Sequence, residues 1–513
     1  MQNNFLSYFF LIILTFFSSH SLSGEQFNFN VTEVEILEDG NRFIGKKNGT
    51  ATTDDGVVIS ANKFDYDKKL NILIATGNVK ITDKTKEIDI YSQKVTYYKN
   101  KELIFTEGKS KAVDNEVIIN AKKKFEYNKK LNILIATGDV EINDKIKEID
   151  IYSQKITYNM NQEIIFTEGN SKAVSNETII DANEFKFNKT LNILNAYEKV
   201  KIEGITEKYL IFSDDVTYYR NNERFFSSGN TNGIIQSNYK FESKDVWLDR
   251  ILMELSSSNE SIVTDNNDNL YKLSKFIFYY NKELLKGENV HVTTNYLKEK
   301  SDNFFFTNAF INFNDNSFVS KDTEILLHKN LFTGERNLTD EEIEEFESKN
   351  DPRISSVSSV GDNNKTVFNK ASFTSCEKND KCPPWKINAE KITHDKLKKD
   401  IIYDKAFLHL YDIPVFYFPK FFHPDPSVKR RSGFLQPRLN QSNILGASLN
   451  VPYFHVISPD KDYTFKPTLF EDKVIFQNEF RKVTKNSSLI TDFSLTKGYK
   501  SSINNKKKDI NHL

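Results

Sequence analysis

The side chains able to do covalent or acid–base chemistry are few and scattered. His394, His409, His423 and His455 occupy the last third of the chain, and no two have the spacing of a metal site such as H-E-x-x-H. Asp425 follows His423 by two residues, which suits proton transfer, but Pro424 and Pro426 flank it and make the segment a turn. There is no G-x-S-x-G elbow and no phosphate-binding P-loop. Cys376 and Cys382 are the only cysteines. Without a spaced histidine pair they supply too few ligands for zinc. In an oxidising compartment two such neighbouring thiols usually pair. The basic run Lys429-Arg430-Arg431 suits either lipid phosphates, by charge pairing, or a solvated strand start. This inventory leads to an expectation of a non-enzyme with no cofactor and no metal.

What remains is the scaffold. Lys plus Arg (70) and Asp plus Glu (71) nearly cancel, so no basic field points to nucleic acid. Apolar residues make up 38%, low for a helical membrane protein and ordinary for β repeats or a β-barrel. Residues 1–23 read as a signal peptide: Phe5 to Phe17 is apolar and too short to span a bilayer, although the segment before it lacks Lys and Arg. The mature chain is then expected outside the cytoplasm, and any membrane span must be β.

From about Val57 the chain repeats. Leu70-Asn-Ile-Leu-Ile-Ala-Thr-Gly77 returns as Leu131-Asn-Ile-Leu-Ile-Ala-Thr-Gly138 and, decayed, as Leu191-Asn-Ile-Leu-Asn-Ala-Tyr-Glu198. Gly77, Gly108, Gly138 and Gly169 subdivide each copy into units of about 30 residues, a period of stacked supersecondary elements. Alternation within a unit predicts short antiparallel strands, with Leu70, Ile72 and Ile74 on one face, a hairpin turn at Gly77-Asn78, and Val79 and Ile81 after it. One such unit cannot bury its apolar face alone. A β-solenoid and an elongated β-jelly-roll enclosing an apolar slot both fit. The slot positions are Ile72, Ile74, Val79, Ile81, Ile133, Ile135, Val140 and Ile142; plain core is the competing reading for each. Gly334 to Lys365 breaks the pattern: Thr339-x-x-Glu342 is a capping box that predicts one short acidic helix, and Ser355 to Asn364 reads as a flexible stretch.

Tyr411 to Tyr453 joins two kinds of sequence. Pro414, Pro419, Pro424 and Pro426 are too close together for a helix or a central strand, and Tyr411, Phe416, Tyr417, Phe418, Phe421 and Phe422 fill the gaps. This predicts an extended connector with an apolar collar. Antiparallel strands follow at about 433–440, 444–455, 461–470, 474–482 and 487–496, with Pro437 and Pro452 inside the first two. Their lengths suit tilted membrane strands.

The phrases Pro414 to Pro419, His423 to Pro426, Lys429 to Arg431 and Ser432 to Pro437 stand in the order found in the outer-membrane lipopolysaccharide-assembly (organic-solvent-tolerance) family. The match continues through Gly446, Val451-Pro452-Tyr453, Pro459, Asp462 and Glu479-Phe480-Arg481, and the chain resembles that family. Thr76-Gly-Asn-Val-Lys-Ile81 resembles its periplasmic transport repeat. The resemblance implies an all-β protein: signal peptide 1–23, a periplasmic jelly-roll over 24–410 with an acidic insertion at about 334–365, a junction at 411–432, and the first strands of a transmembrane barrel from 433 to 513. It implies transport of lipopolysaccharide to the outer membrane, with a periplasmic jelly-roll bridge protein and an outer-membrane plug lipoprotein as partners. It also implies that the seam near Pro437 and Pro452 is a lateral gate, and leaves Cys376–Cys382 as the one intrachain disulfide. The jelly-roll edge at Val57 to Ile59 is expected to accept a strand from the bridge protein. The family barrel is several times longer than 433–513, so the barrel is expected to be incomplete. A secreted β-repeat binding or adhesion protein is the alternative the repeats alone allow, and an enzyme acting on surface polysaccharide is the weakest reading.

Overall fold

The computed structural model describes residues 27–175, 177–297, 301–327, 352–376, 383–425, 428, 430–442, 446–471, 473–500 and 507–512. The signal segment, the capping-box helix, Cys382, Pro426 and Lys429 lie outside these. The regular structure is antiparallel strands with a few single 3-10 turns. The chain divides into two compact units, one ending at Val292 and joined by Asn312–Asn314, the other holding the remainder.

In the first unit antiparallel pairs join consecutive strands and also skip over short ones: Val57–Ala61 pairs with Arg42–Thr52 and Ile72–Asp83, and Leu103–Glu107 with Ile88–Tyr98 and Lys124–Asn128. The long strands, such as Ile72–Asp83 and Ile88–Tyr98, bend at their middles. Their two halves belong to different ladders. Residues 72–76 pair with Lys63–Asp67 and with 94–98, whereas 79–83 pair with Val57–Ala61 and with 88–92. The next copy repeats this: 133–137 pair with Lys124–Asn128, and 141–144 with Val117–Ala121. Two ladders therefore stack along the repeat and bury their facing sides. Leu73, Ala75, Tyr97 and Ile104 fill the first side; Val79, Ile81, Ile90 and Ile119 fill the second. The ring of Tyr239 on the second ladder meets Phe278 on the first edge-on, 5.4 Å between centroids.

Gly77-Asn78 is not a hairpin turn. It is a bulge inside one twelve-residue strand, where the register slips between Thr76 and Val79. Gly77 and Asn78 take φ of 82° and 48°, and Gly138-Asp139 repeats the device at 89° and 41°. A positive φ pair suits both a tight hairpin and a bulge, so the local signal was right and the topology was not. Because the strand runs through, its alternation continues across the bulge. Ile72, Ile74, Ile133 and Ile135 consequently point away from the interior, half-buried, while Val79, Ile81, Val140 and Ile142 point into it. Leu70, Leu131 and Leu191 are exposed turn residues. Their neighbours do the turn's work: Asn71 and Asn132 accept from the Tyr66 and Tyr127 hydroxyls at 3.0 and 3.1 Å.

Val57–Ala61 is paired on both sides and so is no edge. The first described strand, Asn28–Leu37, pairs only with Arg42–Thr52, and Val34 and Ile36 are exposed on it.

In the second unit the strands Arg353–Gly361, Lys365–Thr374, Trp385–Asp395, Asp400–Leu410 and Ile413–Pro424 form a meander over a core that includes Ile354, Phe368, Ile392, Ile401 and Tyr403. Ser355 to Asn364 is thus largely a paired strand rather than a flexible stretch: Ser356 and Ser359, on either side of the unpaired Val357, are buried, a polar sequence placed in a ladder by its neighbours. The expected proline connector is likewise a strand, Ile413–Pro424, paired on one side with Asp400–Leu410. Edge position is what lets it carry prolines. Pro419 falls where the register skips between the pairs Asp404–Lys420 and Ala406–Phe418, so no ladder bond needs its missing N–H. Pro414 adjoins the bulge at Leu408/His409, and Pro424 ends the strand.

A separate antiparallel sheet follows. The first two expected strands break at their prolines into Gly433–Phe434 with Arg438–Ser442, and Gly446–Asn450 with Tyr453–Ser458. Lys461–Phe470, Val474–Val483 and Ser488–Lys500 are long and continuous, and Lys507–His512 adds a strand where the sequence suggested none.

Candidate functional site

The interior of the first unit changes character across its width. Next to the bends lie buried hydroxyls. Ser92, Thr106 and Ser110 form one cluster, with Ser110 Oγ 3.1 and 2.6 Å from the other two. Ser153, Thr167 and Ser171 repeat it, and so do Ser213, Ser227 and Thr231. On the outside of the same row of bends, Asn78, Tyr91, Gln93, Lys109, Lys122 and Asp139 border a groove of about 540 Å³. In the second unit a larger groove of about 960 Å³ runs along the corresponding positions Asp322, Val357, Lys370, Glu390 and Lys405, with Phe407 and Tyr417 at one end.

The middle of the interior is lined by buried apolar side chains. Of the eight slot positions read from the sequence, the structure brings Val79, Ile81, Val140 and Ile142 together there and leaves Ile72, Ile74, Ile133 and Ile135 outside. The sequence missed Leu73, Ala75, Leu134 and Ala136, which complete the inner wall.

At the rim opposite the bends the strand ends of the two ladders meet through ion pairs. Lys129, buried, lies 2.5 Å from Asp55 and 3.6 Å from Asp83. Lys99 reaches the same Asp55 at 2.6 Å. One repeat later Lys189 lies 3.0 Å from Glu116 and 3.4 Å from Asp144. A further repeat on, Arg250 meets Glu177, Glu207 and Glu223 at 2.6, 3.1 and 2.5 Å. Arg220 donates to the Lys147 carbonyl at 2.6 Å. Burial pushes the Asp55 carboxyl up, but hydrogen bonds from Lys129 and Lys99 outweigh it and hold the group well below the usual carboxylate range. The sequence carried a signal for this seam: the residue two before each repeated Leu is Lys129, Lys189 and Arg250. The matching Lys68 of the first copy is exposed.

Near the proline strand the polar residues pair locally. His394 pairs with Asp425, rather than His423 with Asp425. His423 Nδ1–H donates to the Pro424 carbonyl, and Nε2 accepts from the Tyr403 hydroxyl, both at 2.8 Å. Burial lowers the pKa of His423. The two arginines of the basic run diverge. Arg431 grips Asp400 of the meander, with Nη2 to Oδ2 at 2.8 Å, and Arg430 pairs with Asp462 of the following sheet. They are structural staples here, not free phosphate ligands. The Cys376 thiol sits 3.7 Å from the Trp385 carbonyl; its expected partner Cys382 is outside the described residues. Among the described residues no cluster of His, Cys, Asp or Glu could hold a metal ion.

The last sheet is built inside out. Its buried side chains are Ser448, Pro452, Asp462, Thr464 and Asn478, while Leu439, Ile457, Leu469, Phe476, Leu489 and Ile490 are exposed. Beside it, on the proline strand, Ile413, Val415, Phe416, Tyr417 and Phe422 are also exposed. Water does not favour such a surface, and hydrocarbon does.

Residues 58–192 match the family model described as "LptA/(LptD N-terminal domain) LPS transport protein". Similar proteins include the LPS-assembly protein LptD of Polaromonas sp. (strain JS666), 33% identical over 124 residues, which covers 23% of this chain and 15% of that protein. The LptD of Legionella pneumophila (strain Paris) is 34% identical over 127 residues, covering 25% and 15%. That of Shewanella sp. (strain MR-4) is 35% identical over 124 residues, covering 23% and 15%. The chain thus matches about a seventh of the length of these relatives. Among solved structures, LptH of Pseudomonas aeruginosa, the LptA-homologous periplasmic component of a lipopolysaccharide transport device, is 16% identical over 28% of this chain and 83% of that one, at a TM-score of 0.15. That score is too low to add to the fold comparison.

Proposed function

We propose that the chain, whose residues 58–192 match the model of the LptA/LptD N-terminal domain family of LPS transport proteins, moves lipopolysaccharide across the periplasm and into the outer membrane. The acyl chains enter between the two ladders, where Val79, Ile81, Val140 and Ile142 stand. The inverted polarity of the sheet beyond Gly433 is the observation that carries the membrane half of this reading. A sheet that exposes Leu439 and Leu469 and buries Asp462 and Asn478 belongs in lipid with water on its inner side. The same feature weighs against a secreted adhesion protein, whose outward face would be polar. The Arg430 and Arg431 staples support direct passage from meander to membrane sheet, since both ion pairs lie within one compact unit. The exposed edge Asn28–Leu37 is the docking strand for a periplasmic jelly-roll bridge. We further assign Pro437 and Pro452 to a weak lateral seam: each interrupts its strand, and the Pro452 carbonyl is bonded only by Leu435 N–H at 2.8 Å among the turn contacts there. A plug lipoprotein completes the assembly.

Photo-crosslinking in cells tests the transport reading. A photoreactive residue at Val140 should give lipopolysaccharide adducts, while one at the outward Ile135 should give few. Equal adducts at both, or none at either in a folded, outer-membrane protein, would overturn it. A crosslinker at Ile36 should capture a periplasmic protein.

A further inference from the structure

Most of the ion pairs at the rim of the first unit join the two ladders. The cations that bridge the gap by ion pairs, Lys99, Lys129, Lys189 and Arg250, all follow strand ends of the first ladder. The carboxylates that meet them across the gap, Asp55, Asp83, Glu116, Asp144 and Glu177, all stand at strand ends of the second. Both rows keep the repeat spacing: Asp55, Glu116 and Glu177 are 61 apart, and Lys129, Lys189 and Arg250 are 60 and 61 apart.

Such a row is a poor way to hold two sheets together. Apolar residues of similar volume would do it at least as well, because burying both charges costs about as much as their attraction returns. The pairing is also incomplete. Asp83 and Asp144 are each only 1% exposed, yet Oδ2 of each accepts no hydrogen bond and meets its lysine only at 3.6 and 3.4 Å. Their other oxygens cap the turns at Thr85 and Ile146. The cations are better placed than the carboxylates are satisfied, and they border an apolar interior.

We propose that Lys99, Lys129, Lys189 and Arg250 form a ladder of phosphate-binding sites for the headgroup of the carried lipid, and that the second-ladder carboxylates occupy those sites when no lipid is bound. The inference rests on the transport reading above. A phosphate arriving at the rim takes the lysine or arginine, and the part-exposed Asp55, Glu116 or Glu177 that it displaces turns to water, while Asp83 and Asp144 stay buried beside the cation. Each of these cations stays paired in both states, so neither state leaves a bare buried cation. The repeat spacing then offers an entering headgroup equivalent sites in succession along the stack.

The test uses the full chain, purified lipopolysaccharide, and the same lipopolysaccharide after phosphatase treatment. The variant Lys129→Gln/Lys189→Gln should bind the phosphorylated lipid about tenfold more weakly, with a much smaller change for the treated lipid. The doubly neutral pair Asp83→Asn/Lys129→Gln leaves no buried charge unmatched, guards against misfolding, and should also lose preference for phosphate. Glu116→Gln and Asp55→Asn, at the more accessible ends of the same pairs, should tighten binding of the phosphorylated lipid by freeing its sites. An equal loss for both lipids in every variant would make the rim merely structural and overturn the ladder. Failure of the unaltered chain to bind either lipid would overturn the transport reading itself, and the ladder with it.

Discussion

The bends depend on single residues that adopt a left-handed backbone. Gly77, Gly138, Gly169 and Gly229 do so with φ between 82° and 89°. At Gly138 an added Cβ would come within 2.4 Å of the Lys123 side chain. Gly138→Ala is therefore expected to destabilise the protein by about 1–2 kcal/mol, read as a shifted urea midpoint at unchanged slope. The third copy uses Glu198 and Lys199 at φ of 61° and 54° in the same place. Placing Gly at 198 is expected to stabilise the fold by relieving that strain. His423 sets a pH dependence. Its folded pKa is lower than the unfolded value of about 6.5, so its contribution is complete above that pH and is lost as pH falls toward the folded value. Stability of the full chain should drop as pH falls below about 6.5, and His423→Gln should flatten that limb in a denaturation series.

At the scale of elements, the proline strand and the arginine staples govern the passage from meander to membrane sheet. Pro419 occupies the skipped row of the ladder, so Pro419→Ala should change stability by less than about 1 kcal/mol. Moving the proline one place, Phe418→Pro with Pro419→Ala, removes a donor opposite Ala406 and should prevent proper assembly. Asp462 is the shared partner of Arg430 and Arg481, the latter at 2.7 Å, and is buried. Asp462→Ala strands two arginines at once and should cost about 3–5 kcal/mol, seen as loss of the heat-modifiable folded band on gels. Arg430→Ala leaves the Arg481 pair in place and should be milder.

For the whole molecule, the division between a water-facing repeat and a lipid-facing sheet makes a direct prediction. Leu439 and Leu469 stand exposed on the last sheet. Replacing either with Lys should cost about 2–4 kcal/mol if it sits near the bilayer midplane. The same change at exposed Leu70 or Leu131 should cost almost nothing. Membrane fractionation of the four variants separates the two outcomes.

Much of this architecture was legible in the chain itself. The 60-residue repeat, the alternation of its strands and the glycine at each half-repeat specify stacked antiparallel β units, because period and turn chemistry are local properties. After Gly433 the three strands from Lys461 to Lys500 were legible to within a few residues for the same reason, whereas the first two expected strands broke at their prolines and Lys507–His512 was not foreseen. What tertiary structure decided was phase and pairing. Gly77-Asn78 carries the same positive φ whether it closes a hairpin or bulges a strand, and only the neighbouring ladders fix which. That choice moved Ile72 and Ile133 outside and put Leu73 and Leu134 within. Prolines that forbid a central strand were read as a connector until a one-sided partner made them an edge. The rim ion pairs join residues more than 70 positions apart, Asp55 with Lys129 and Glu116 with Lys189, so no local pattern could pair them. Their spacing was in the sequence; only the meeting of two ladders made them a seam.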